Sequence, residues 1–106
     1  MLLRTLSVAM ALCASSAGAY GQTPSTIARG KDIAERACGG CHAIDGGKGG
    51  TIGGRNVPSL RALASRPDQT PQRLQAFIMM PHRPMPGIPL ELAEVNDIVA
   101  YILSLR

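Results

Sequence analysis

Residues 38 to 42 read Cys38-Gly39-Gly40-Cys41-His42, a C-x-x-C-H sequence, and the reading of the whole chain turns on what it holds. Two cysteines three positions apart lie on one face of a helical turn. Their sulfurs can reach the two vinyl groups along one edge of a porphyrin and form thioethers. His42 follows directly, so its imidazole faces the iron as a nitrogen ligand that the covalent tether keeps in place. Gly39 and Gly40, which lack Cβ atoms, let the plate lie close to the backbone. Other uses of this spacing need companions. A thioredoxin-like redox pair requires a strand before the motif and a βαβ unit around it, whereas a glycine-rich stretch follows here. A structural zinc site takes four Cys or His ligands in spaced pairs, and beyond the motif the chain that follows the leader offers only His82. A Cys38–Cys41 disulfide would close too short a loop to stabilise much. The motif points to covalently bound haem.

The chain has 106 residues, enough for one domain, and residues 1–19 read as a signal peptide. Arg4 supplies the positive start, Leu6 to Ala14 a short apolar core, and Ala17-Gly18-Ala19 a small-residue cleavage site before Tyr20. The apolar run is shorter than the roughly 20 residues a membrane span takes. A retained anchor is disfavoured on that ground, and no stable span is expected after cleavage. Lipoprotein processing at Cys13 is disfavoured by Leu12, a large residue where a small one is expected. The expected domain is thus 20–106, exported to the periplasm with Cys38 and Cys41 as its only cysteines. A bare pair would tend to oxidise there; haem thioethers remove that liability.

Lys and Arg number 11 against 7 Asp and Glu, and loss of Arg4 with the leader takes the balance from +4 to +3. Two haem propionates bring it near neutral, which excludes a nucleic-acid binder. A modest basic rim is compatible with an acidic redox partner, and a merely solvated surface accounts for it as well. Size is a second pointer to a cofactor. A mature chain of 87 residues is near the limit at which a protein core suffices alone, and Phe77 and Tyr101 are its two plausible core aromatics. A large flat apolar plate would supply the missing burial.

Along the chain, Ser25 to Ala37 form a first helix with Ile27, Gly30, Ile33, Ala34 and Ala37 on one stripe. Thr23 or Ser25 caps it and Pro24 fits its first turn. Gly30, mid-helix at a cost of about 1 kcal/mol relative to Ala, reads as a close helix contact because the stripe passes through it, with a merely weak helix as the alternative. Residues 43 to 57 are a glycine-rich, flexible wrap in which no phosphate-binding pattern is present. Val57-Pro58-Ser59-Leu60 then makes a turn. Pro58 lacks a backbone donor, leaving neighbouring carbonyls to accept a bond such as the second ring N–H of His42; an ordinary turn is the alternative. Leu60 to Ala64 is a short helix. Thr70 caps a clearer one, with Pro71 first and Leu74, Phe77 and Ile78 as its stripe. From Glu91 a last helix turns Leu92, Val95, Ile98, Val99 and Ile102 inward with Tyr101 beside them.

A closed sixth coordination position passes electrons, and an open one binds or activates small molecules. Met79, Met80, His82 and Met85 are the candidates for it. Pro84 and Pro86 limit the backbone around Met85 and lower the cost of holding a sulfur at the iron. Met79 and Met80 end a helix and read as core filler. His82 would give two imidazoles and a lower potential.

With these features the chain resembles the small bacterial class I cytochromes c over nearly its whole mature length, Gly30 to Leu105. The resemblance rests on the C-x-x-C-H site, the proline turn, the Met-Pro loop and a C-terminal helix with Tyr101. It implies an all-α fold of three to five helices wrapped around one haem c, the first and last crossing near Gly30 and Tyr101. It implies thioethers from Cys38 and Cys41, axial ligation by His42 and Met85, the Pro58 carbonyl as the partner of His42, and Arg55 beside a haem propionate. There are departures. Val57 stands where a Gly often precedes the proline, and Glu91 where Ser, Thr or Asp usually caps, which predicts a frayed start to the last helix.

The implied function is electron carriage rather than enzyme catalysis, the iron cycling between Fe(III) and Fe(II) with little change at its ligands. A periplasmic dehydrogenase or reductase would be the donor, and an oxidase or another cytochrome the acceptor. A haem c subunit of a periplasmic dehydrogenase complex would use the same chemistry. A gas-binding sensor or peroxidase-like protein would need a mobile Met85 and distal acid–base residues, for which His82 alone is at hand.

Overall fold

The computed structural model describes residues 22–45, 47, 50–52, 55–80 and 82–106, with the side chains of 51, 52 and 55 excepted. The expected signal peptide, residues 1–19, lies outside them. Four helices occur among the described residues: α1 (Pro24–Ala37), α2 (Leu60–Ala64), α3 (Pro71–Met79) and α4 (Leu92–Ser104). Short polar side chains start the first three. Thr23 Oγ1 accepts the Thr26 N–H at 3.2 Å, so Thr23 rather than Ser25 is the α1 cap. Ser59 Oγ accepts from Ala62 N–H and Thr70 Oγ1 from Arg73 N–H, both at 3.1 Å. Each satisfies an amide that the helix leaves without a partner. The expected fraying of α4 does not occur. Glu94, one turn in, reaches back to accept the Glu91 N–H through Oε2 at 2.9 Å, replacing the missing Ser, Thr or Asp.

The core forms where α1 crosses α4. A Cβ at Gly30 would overlap the Asp97 carbonyl oxygen and lie 2.9 Å from Tyr101 Cβ, so the two backbones meet where only glycine fits. Ala34, fully buried one turn on, continues the contact. From α4, Val95, Ile98, Val99 and Ile102 are buried as their spacing predicts. Leu92 is not; it lies ahead of the first buried position and is 51% exposed. The buried Tyr101 spans the chain: its hydroxyl lies 3.1 Å from the Ile44 carbonyl oxygen and 3.0 Å from Asp45 Oδ1, sharing one proton between them. Burial first, and then the Asp45 carboxylate, push the Tyr101 phenol up to about 12.

Within the glycine-rich stretch the described residues include two short strands that the expectation of a flexible wrap does not contain. Strands β1 (Gly50–Ile52) and β2 (Arg55–Val57) pair antiparallel with Gly50 opposite Val57. Thr51, Ile52 and Val57 are strand formers, and Val57 is buried where the hairpin returns to the core. The fold is otherwise helical, and no helix among the described residues is long and apolar enough to cross a membrane.

Two tests follow from this packing. Gly30→Ala should destabilise the protein by about 1–3 kcal/mol, the usual cost of forcing atoms into a close-packed contact, read from denaturant unfolding of the haem-loaded protein. A variant as stable as the parent would refute the close crossing. Because folding raises the Tyr101 pKa, its contribution is fully present below pH 10, the phenol's ordinary value, and is lost as pH rises towards about 12. Stability of the parent should therefore fall relative to Tyr101→Phe across that window.

Candidate functional site

The end of α1 makes the site's first wall. Cys38 N–H bonds back to the Ala34 carbonyl at 2.8 Å, and His42 N–H to the Cys38 carbonyl at 2.9 Å, so residues 38–42 add a further turn. That turn sets Cys38 and Cys41 on one side, with Cys38 buried and Cys41 exposed. Burial first, then the nearby Cys41, push the Cys38 thiol up from its ordinary value. Gly39 has a different reason from the one the sequence suggests. A Cβ there would lie 2.5 Å from the Glu35 carbonyl oxygen, so α1 itself demands glycine. Gly40 has open space around its Cβ position and lines the cleft described below.

Two hydrogen bonds fasten this turn to the proline turn. His42 Nδ1 is 2.6 Å from the Pro58 carbonyl oxygen, and Leu60 N–H donates to the Ala43 carbonyl at 3.0 Å. A carbonyl has no proton to give, so Nδ1 carries the hydrogen and Nε2 keeps its lone pair. This is the tautomer suited to metal ligation.

The opposite wall comes from α3 and the proline-rich segment after it. Cys38, Cys41, His42, Pro58 and Met85 all line one cleft of about 330 Å³, within the range of roughly 300–1,000 Å³ typical of small-molecule sites. Its apolar surface includes Leu60, Leu74, Ile98 and Ile102. Phe77, 47% exposed, is a cleft residue rather than a core one. Met79 and Met80 are 52% and 66% exposed and are not part of the lining, because the inward face of α3 ends at the partly buried Ile78. They are not the core filler the sequence suggests. Arg55 opens β2, and its side chain falls outside those described.

The structure adds residues that sequence reasoning passes over. Gln69 and Arg66 line the cleft. Gln69 is buried, its Nε2 donating to the Leu63 carbonyl at 2.8 Å while Oε1 has no partner among the described residues. Behind it the last residue, Arg106, donates from Nε to Ala64 O at 3.1 Å and from Nη2 to Gln69 O at 3.0 Å. No local pattern marks Arg106, since its partners lie 37 and 42 residues back along the chain.

The family model for cytochrome c matches residues 27–106, from α1 to the C-terminus. The chain belongs to the cytochrome c family. It is also 36% identical over 104 residues to cytochrome c-552 of Bradyrhizobium diazoefficiens, a match covering 98% of this chain and 95% of that one. No solved structure matches it. Cytochromes c carry covalently bound haem c, exchange electrons with redox partners, and are typically carriers rather than enzymes. The cleft suits that group. Two thiols on one turn, an imidazole with Nε2 available, a thioether and apolar walls are the donors and surroundings that haem c takes.

The Arg106 clasp can be tested directly. Arg106→Ala removes charged hydrogen bonds to two carbonyls that back the cleft and should cost about 1–2 kcal/mol of stability in thermal or denaturant unfolding. An unchanged stability would show that the clasp contributes nothing.

Proposed function

We propose that this cytochrome c is a one-electron carrier of the periplasm, with haem c joined to Cys38 and Cys41 and ligated by His42 and Met85. The observation that carries this reading is the meeting of those four side chains on one cleft. Residues 1–19 act as the signal peptide that brings the domain to that compartment. Haem c supplies the Fe(III)/Fe(II) couple. The chain decides how the couple behaves.

Pro58 fixes the His42 ring through Nδ1, so Nε2 would be offered to the iron in one orientation and as a stronger donor. Pro84 and Pro86 restrict the backbone either side of Met85 and lower the entropy lost in holding its sulfur. A thioether favours Fe(II) more than a second imidazole does, which sets a comparatively high potential. The apolar wall of Leu60, Leu74, Ile98 and Ile102 keeps water away and disfavours the extra positive charge of Fe(III). Arg66, which lines the cleft, and Arg55 would supply positive charge to the haem's propionates. Cys41, exposed at the cleft, marks the edge where a donor such as a periplasmic dehydrogenase or reductase, and an acceptor such as an oxidase or another cytochrome, exchange electrons.

The test is the absorption spectrum of the exported protein, oxidised and reduced, with and without carbon monoxide. A low-spin haem c, a methionine-to-iron charge-transfer band and no response to carbon monoxide are expected. Met85→Ala should abolish the band and lower the reduction potential. A high-spin iron in the parent protein, or a potential unmoved in the variant, would overturn the assignment of Met85.

A further inference from the structure

The protein's two histidines share one cleft and one hydrogen-bonding device. As His42 Nδ1 meets the Pro58 carbonyl, so His82 Nδ1 lies 3.0 Å from the Met80 carbonyl oxygen. The consequence is the same: the proton sits on Nδ1, and Nε2 keeps a lone pair for a metal. The His82 ring is further held edge-on to Phe77, centroids 5.3 Å apart and planes at 75°. Phe77 is itself a cleft residue.

His82 is also tied to Met85. The two form an antiparallel bridge. Residues paired this way stand about 4.5–5.5 Å apart at Cα with side chains on the same face. Both line the cleft. A segment that presents the Met85 sulfur to the iron therefore presents an imidazole of the correct tautomer directly beside it.

We propose that His82 is the reserve axial ligand of this cytochrome, taking the sixth position through Nε2 whenever the Met85 sulfur is absent from it. The inference rests on the assignment of Met85 above. Its consequence is that losing the thioether does not open the iron. A nitrogen donor closes the site again, at a lower potential because two imidazoles favour Fe(III). The site thus has two closed states, one high in potential and one low, and no open state in which carbon monoxide or a peroxide binds readily.

The experiment compares three haem-loaded proteins by electron paramagnetic resonance of the ferric form and by carbon monoxide binding to the ferrous form. The parent should show the methionine-to-iron band. Met85→Ala should lose that band yet remain low-spin, with the signature of two imidazole ligands and little carbon monoxide bound. The double variant Met85→Ala, His82→Ala should become high-spin and bind carbon monoxide readily. A Met85→Ala protein that is already high-spin and open would overturn the proposal, as would a double variant that stays low-spin. If the parent lacks the methionine band, the assignment of Met85 fails instead, and the two failures are told apart by that first spectrum.

Discussion

The close approach of α1 and α4 at Gly30 is the constraint on which the rest depends. A side chain there would collide with the Asp97 carbonyl, so the helices cross with backbone against backbone. That crossing fixes the direction in which α1 runs out, and the two cysteines leave from its end. It also places Tyr101 where its hydroxyl reaches Ile44 and Asp45, just past the motif. One contact thereby holds both the helix before the site and the loop after it. The exposed Arg29–Asp97 ion pair beside it, 3.0 Å long, adds little by comparison.

From that frame the site is closed by short bridges between distant segments. The His42–Pro58 and Leu60–Ala43 bonds draw the motif turn against α2. Arg106 and Gln69 brace the connection from α2 to α3 from behind. The proline-rich segment then brings Met85 and His82 to the far wall. Little of this depends on a large protein core. The walls are apolar, and the volume between them suits a flat cofactor that contributes burial of its own.

Much of this was legible in the sequence because the decisive signals are local. The C-x-x-C-H spacing, the Thr70-Pro71 start of α3, the stripe of α4 and the glycine in the stripe of α1 each act within a turn or two. The turn at Pro58 was legible only as a possibility, since a carbonyl's partner cannot be read from its own neighbours. Three features escaped for physical reasons. The β1–β2 pairing is only three residues a side, too short for an alternating pattern to show. The cap of α4 comes from Glu94 inside the helix rather than from the capping position. Asp45, Gln69 and Arg106 bond to partners 37 to 56 residues away or sit where burial alone gives them importance. Met79 and Met80 read as core for their apolarity, yet they lie past the last buried turn of α3.

The ligand set proposed for the cleft is that His42 and Met85 would both hold the haem iron. Proton magnetic resonance of the ferrous protein tests it most directly, because a methyl held over a porphyrin face is shifted strongly upfield by the ring current. One such methyl, assigned to Met85, is expected, together with a His42 Nδ1 proton protected from exchange by the Pro58 carbonyl. A shifted methyl belonging to Met79 or Met80, or none at all, would contradict it.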